Sequence, residues 1–275
     1  MIDYEAEYNN RARVPEHPAI IEGWARDAAA YRESAKAEFD RPYGLAPRLH
    51  YDLFHPQTPA DDARAIVVFI HGGYWQALDG KHFSHMARGL NAQGFTVCIP
   101  SYDLCPQVRI GDIVAEIRDL ARYLWENYRK PVVACGHSAG GHLVAALLTT
   151  DWGAMHLPKR LAPAGMAISG LFDLLPLVGT SINTALRMDL KEAIAQSPLA
   201  MGTPYGTKLI ASVGSEESAE YLRQSRVIVD IWGRGGVGTK LRIEDGANHF
   251  TVIAPLADPE SSMVADLANL ARLAG

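Results

Sequence analysis

Val132-Val133-Ala134-Cys135-Gly136-His137-Ser138-Ala139-Gly140-Gly141-His142-Leu143-Val144-Ala145-Ala146-Leu147-Leu148 is the stretch on which the reading of this 275-residue chain turns. An apolar β-type run leads into Gly-x-Ser-x-Gly, and a helical run follows directly. A serine on a sharp strand-to-helix turn is held in a strained backbone conformation, and side chains on its flanks would clash, so glycines stand there. The N–H groups at the start of the helix face the serine and favour negative charge developing beside it. Ser138 is therefore the candidate nucleophile. The plainer alternative is a serine that only caps a helix.

Working outward, short β-type runs recur at wide spacing. Ile66–Ile70 is continuously apolar, as a strand buried on both faces should be. Phe95–Ile99, Pro131–Cys135, Gly165–Ser169, Leu209–Val213 and Lys240–Ile243 follow. Helical patterns lie between or after them at Phe83–Ala92, Ile113–Tyr128, His142–Leu148 and Val264–Leu273. Strands alternating with helices predict an α/β fold, a mostly parallel sheet with helices on both faces. Ile20–Phe39 reads as a helix ending at Arg41-Pro42. The segment 172–201 carries no strand and reads as a small, partly helical cap or lid. The expectation is a single domain over 1–275, with an N-terminal arm at 1–45. Both the arm and the cap lack core strands in this reading and should cover the mouth above Ser138.

Sites in open parallel sheets lie beyond the carboxyl ends of the strands. After Ile70 comes His71-Gly72-Gly73-Tyr74-Trp75. Such a Gly-Gly pair frees backbone N–H groups to hold an oxyanion, together with the N–H of Ala139 after the nucleophile. Gly72, Gly73 and Ala139 are the candidate donors, with Tyr74 an alternative. Among ten histidines, only His249 follows the nucleophile on a late glycine-containing loop, as the chain order Ser…Asp/Glu…His requires. His82 and His85 form His-x-x-His without a third ligand at a suitable spacing, so no metal site is expected. For the acid, Glu217, Glu216 and Asp173 all follow later strands, and Asp245 reads as a turn residue. Gly233-Arg234-Gly235-Gly236-Val237-Gly238 is a literal Gly-x-Gly-x-x-Gly. It joins a helical pattern to a strand, the reverse of a dinucleotide site, so no nucleotide cofactor is expected.

The formal net charge of −5 argues against nucleic acid or anionic membrane as the main partner. A small-molecule substrate is the expected partner, with a homodimer left open. The acidic start of the chain lacks a secretory pattern, and Cys98, Cys105 and Cys135 form no even framework. Both features predict a reduced, cytoplasmic protein.

The His71–Trp75 and Gly136–Gly141 motifs together resemble the α/β-hydrolase superfamily in its hormone-sensitive-lipase-like branch. Further stretches are similar to the kynurenine formamidase (arylformamidase) family: Tyr8–Arg13, Ser101–Pro106, Ser169–Leu174 and Glu217–Ser225. The resemblance implies an α/β-hydrolase fold and a serine hydrolase with Ser138, His249 and, immediately before the segment Ser218–Ser225, Glu217 as the catalytic acid. It implies cleavage of a small aryl formamide, N-formyl-L-kynurenine above all, without a cofactor. Tyr74, Trp75, Phe172 and Phe250 are candidate aromatic contacts for such a substrate, and Asn183 is a candidate polar contact. Packing under the loop stays open for Trp75, and a turn role for Asn183. The alternatives are a carboxylesterase for small acyl esters and a non-catalytic ligand-binding protein on the same scaffold.

Overall fold

The computed structural model describes residues 2–274; Met1 and Gly275, the ends of the expected domain and arm, lie outside them. The chain begins with three helices, α1 (Tyr4–Tyr8), α2 (Asn10–Arg13) and α3 (His17–Ser34). The strands are β1 (Lys36–Pro42), β2 (His50–His55), β3 (Ile66–Ile70), β4 (Val97–Pro100), β5 (Val132–His137), β6 (Ala164–Ile168), β7 (Lys208–Gly214) and β8 (Gly238–Glu244). Between and after them run α4 (Arg88–Ala92), α5 (Ile110–Tyr128), α6 (Ala139–Leu148), α7 (Asn183–Leu186), α8 (Leu190–Ala195), α9 (Ala219–Arg234) and α10 (Ser262–Arg272). Gly80–Ala87, just before α4, is a 3₁₀ segment.

One eight-stranded sheet has the order β1-β2-β4-β3-β5-β6-β7-β8. β1 and β2 pair antiparallel, as do β2 and β4; the remaining neighbours are parallel. Successive side chains of a strand point to opposite faces. In β3, Ile66, Val68 and Ile70 belong to the hydrophobic core that also holds residues of α5, α6 and α9, while Val67 and Phe69 belong to the one on the other face with residues of α3, α4 and α10. The two helical layers explain why β3 is apolar without alternation. They also leave the carboxyl ends of β3, β5, β6 and β7 together at one edge, where the site lies.

The amino-terminal region departs from the expectation. The helix ends at Ser34, and Lys36–Pro42 forms an edge strand, so residues 1–45 do contribute to the sheet. Lys36, Glu38, Asp40 and Arg41 favour neither a buried stripe nor an alternating face, so local pattern could not separate helix from strand. Pairing with β2 decides it. The buried Asp52 on β2 accepts the Asp40 N–H at 2.8 Å and forms an ion pair with Arg32 of α3, fastening helix, bulged edge strand and sheet together. The Gly233–Gly238 loop joins the end of α9 to β8. Its glycines serve a helix-to-strand connection and not a strand-to-helix phosphate turn.

Candidate active site

β5 delivers Ser138 at its carboxyl end with φ 56° and ψ −117°, a conformation rare for a residue bearing a side chain. Gly140 makes the turn sterically feasible: a Cβ there would fall 2.0 Å from the Ile70 carbonyl oxygen of neighbouring β3. Ser138 occupies the N-cap position of α6, yet its side chain makes no capping hydrogen bond. The hydroxyl instead meets His249 Nε2 at 3.2 Å. The capping alternative is thus not what the side chain does.

His249 stands on the loop after β8, and its Nδ1 lies 2.6 Å from Glu217 Oε2. An Nδ1–H given to the carboxylate leaves Nε2 as the acceptor that faces the serine hydroxyl. The other oxygen of Glu217 accepts from Ser169 Oγ at 2.5 Å and from the Gly214 N–H at 2.8 Å. Ends of β6 and β7 therefore hold the carboxylate in one orientation. Glu216 is exposed, and Asp173 is turned to the Leu175 N–H and to Arg223, so neither reaches the imidazole. Two residues without an assigned role hold His249 as well. His137 Nε2–H donates to the His249 carbonyl at 2.8 Å, and burial drives the His137 imidazole well below its ordinary pKa, keeping it neutral. The Tyr221 ring lies with its centroid 4.6 Å from that of His249.

On the other side of Ser138 is the Gly72-Gly73 turn. Gly73 has φ 111°, and a Cβ there would come within 2.2 Å of the Ala77 carbonyl oxygen. Among the described residues, no protein acceptor takes the N–H of Gly72 or Gly73. The first N–H groups of α6, that of Ala139 among them, have no intrahelical acceptor. Gly72 and Ala139 are buried beside Ser138, whereas Gly73 lines the open cavity. His71 stacks on Tyr102 at 4.2 Å, and Tyr102 Oη donates to the His71 carbonyl at 2.8 Å, bracing the turn. Burial pulls His71 down to about 4, so this support is neutral at pH 7.

A cavity of about 380 Å³ opens over Ser138 and His249. Of the candidate substrate contacts, Tyr74 and Phe250 line it. The other three do not. Trp75 is fully buried, edge-on to His142 at 5.0 Å, and packs under the loop. Phe172 is fully buried in the core, its N–H held by Gln224. Asn183 ties a turn together through Val178 and Met188. The wall comes instead from residues overlooked in the sequence. Tyr8, Asn10, Arg11, Ile21 and Trp24 reach it from the arm, and Ser181 and Ile182 reach it from the cap. Trp24 and Phe250 lie 6.1 Å apart, centroid to centroid, and form an aromatic wall.

Arm and catalytic edge are joined by a buried phenol cluster. Tyr74 Oη donates to the Tyr8 carbonyl at 2.6 Å, which spends its proton; Tyr221 Oη, 2.7 Å away, then donates to Tyr74. Asn10 Nδ2 donates to Tyr221 Oη at 3.0 Å. Burial raises both phenols far above their ordinary pKa, so the cluster stays uncharged. Glu5 closes the outer edge by accepting both the N–H and the Oγ–H of Ser181, each at 2.7 Å. The only signal of this architecture in the sequence was the Tyr8–Arg13 stretch, whose partners lie far along the chain.

Among the described residues, no group of three or more His, Cys, Asp or Glu side chains is placed to hold a metal ion. No described helix is long and apolar enough to cross a membrane. Cys98, Cys105 and Cys135 are free and buried.

Comparison with known proteins follows the same lines. Residues 51–162 match the BD-FAE family model. A kynurenine formamidase of Salmo salar is 30% identical over 236 residues, covering 82% of this chain and 79% of its own. A kynurenine formamidase of Danio rerio is 27% identical, covering 82% and 79%. Among solved structures, a Silicibacter sp. protein described as a thioesterase superposes with a TM-score of 0.86 at 36% identity, covering 98% of this chain and 100% of that one. An esterase of the bacterial hormone-sensitive lipase family shares the fold, with a TM-score of 0.68 at 21% identity, covering 94% and 97%. The fold is that of the α/β-hydrolases, the protein is a hydrolase of the formamidase or esterase type, and the chain belongs to the kynurenine formamidase family.

Proposed function

We propose that this chain is a serine hydrolase that deformylates a small aryl formamide, with N-formyl-L-kynurenine the leading substrate. Ser138 is the nucleophile, His249 the general base and acid, and Glu217 the residue that fixes the imidazole. His249 Nε2 takes the Ser138 proton as Oγ bonds to the formyl carbon. The oxyanion is held by the N–H of Gly72 or Gly73 and of Ala139, each such donor contributing about 2.7–4 kcal/mol of transition-state stabilisation. His249 then protonates the aryl nitrogen, the C–N bond breaks, and the amine leaves. Water, deprotonated by His249, attacks formyl-Ser138 and releases formate as Oγ regains its proton. No step calls for a cofactor.

The observation that carries this reading is the aromatic wall that Trp24 and Phe250 contribute to the cavity lined by Ser138, which suits a flat aryl leaving group. The relatives named above support the choice of formamide. A second reading, hydrolysis of esters or thioesters, is favoured by the 36%-identical structure described as a thioesterase. A substrate panel separates the two. The expected result is a far higher kcat/KM for N-formyl-L-kynurenine than for p-nitrophenyl acetate, with a steep fall from acetate to butyrate. Best turnover of butyrate or longer esters, with formylkynurenine untouched, overturns the formamidase reading. Free buried cysteines support a reducing, cytoplasmic setting.

A further inference from the structure

Among the described residues, Arg11 is the only lysine or arginine that lines the cavity over Ser138, and no aspartate or glutamate lines it. Arg223 is paired with Glu220 and Asp173, and Arg109 with Glu192, while Arg13, also on α2, does not line the cavity. Arg11 makes no ion pair or hydrogen bond among the described residues. Its backbone is nonetheless fixed. The preceding Asn10 is buried and donates to Tyr221, and Asn9 caps α2 by accepting the Ala12 N–H at 3.2 Å. The guanidinium is thus carried to the mouth on a short helix pinned to the catalytic edge.

Gln76 lines the same cavity. Its N–H is bound to the Gly73 carbonyl at 3.0 Å, while its carboxamide has no partner among the described residues. The neighbouring amide of Asn9 is already spent on Ala12 and Glu5, and Glu5 itself is spent on Ser181. A planar guanidinium and a free amide N–H facing one cavity match the two oxygens of a carboxylate.

We propose that Arg11, with the Gln76 amide, forms a carboxylate-binding site at the mouth of the cavity, which takes the acid group borne by the departing aryl amine. The substrate assigned to it rests on the formamidase reading; the affinity for an aromatic carboxylate does not. It replaces Asn183 as the polar contact for an amino-acid side arm.

Two measurements test it. In steady-state kinetics, Arg11→Ala should raise KM for N-formyl-L-kynurenine by about tenfold or more, with a smaller change in kcat. The ratio of kcat/KM for that substrate to kcat/KM for p-nitrophenyl acetate should fall by a similar factor, and Arg11→Lys should recover part of it. Equal losses on both substrates would mean that Arg11 only supports the fold, and an unchanged ratio overturns the site. Calorimetry then compares 3-phenylpropionate with 3-phenylpropionamide. Preference for the carboxylate in the wild type, lost in Arg11→Ala, upholds the site even if formylkynurenine is not turned over, in which case only the formamidase reading falls. Equal binding of the two, or no binding, overturns the site whatever the substrate.

Discussion

Ser138→Ala is expected to lower kcat on N-formyl-L-kynurenine by about 10⁶-fold, the size found when the serine nucleophile of a triad is removed. The size follows from what is lost. Without Oγ there is no covalent intermediate, and what remains is binding and the oxyanion donors. The fold should hardly notice, because Oγ caps no helix and its polar neighbours, His249 at 3.2 Å and the Tyr221 hydroxyl, are each held by other partners as well. Circular dichroism and a thermal melt close to wild type would show that the loss is chemical. An organophosphate should label Ser138 and no other serine. A well-folded Ser138→Ala protein that retains a few per cent of activity would end the serine mechanism.

Glu217→Gln should cost about 10⁴-fold in kcat, comparable to amide replacement of the acid in other triads. A glutamine presents either an oxygen or an NH₂ to Nδ1. The donors Ser169 Oγ and Gly214 N–H already claim an acceptor at the other position, so the NH₂ is driven toward His249. The imidazole must then turn its Nδ1 lone pair to the amide and its Nε2–H to Ser138, the wrong tautomer for taking a proton. Glu216→Gln and Asp173→Asn remove a solvated carboxylate and a turn contact, and should each stay within about threefold of wild type. Measuring kcat for the three variants side by side decides the matter. If Glu216→Gln or Asp173→Asn is the crippling change, the assignment of the acid is wrong.

Residues legible in the sequence were those whose local pattern is imposed by the sheet. β3, β5 and β7 are buried on both faces, so each reads as an apolar run, and the turns after them carry Gly72-Gly73, Ser138 and Glu217, while His249 follows the half-exposed β8. Strand end and chain order single out Ser138, the Gly72-Gly73 turn, His249 and Glu217, and the structure brings these residues together. The edge strand β1 was misread because its exposed, charged residues satisfy a helix as readily as a strand, and only pairing with β2 selects between them. The cavity wall was misread for a related reason. Trp75 and Phe172 are close in sequence to the catalytic turns, but backbone direction sends both into the core. Trp24 and Arg11 are distant in sequence: Arg11 arrives because Tyr8 and Asn10 dock on Tyr74, Tyr221 and Glu220, and Trp24 because α3 packs on the Gly80–Ala87 segment through Phe83. Catalytic geometry was thus written locally, while specificity was written in long-range contacts.

In this mechanism the formyl group passes through Ser138, and rapid acid quench during turnover of N-formyl-L-kynurenine should trap it there. Peptide mass spectrometry of the quenched protein should find one added formyl group on the peptide containing Ser138, absent from Ser138→Ala and lost when substrate is exhausted. Turnover that proceeds at full rate with no formylated Ser138 trapped at any quench time, or with the formyl group on another residue, would contradict the account.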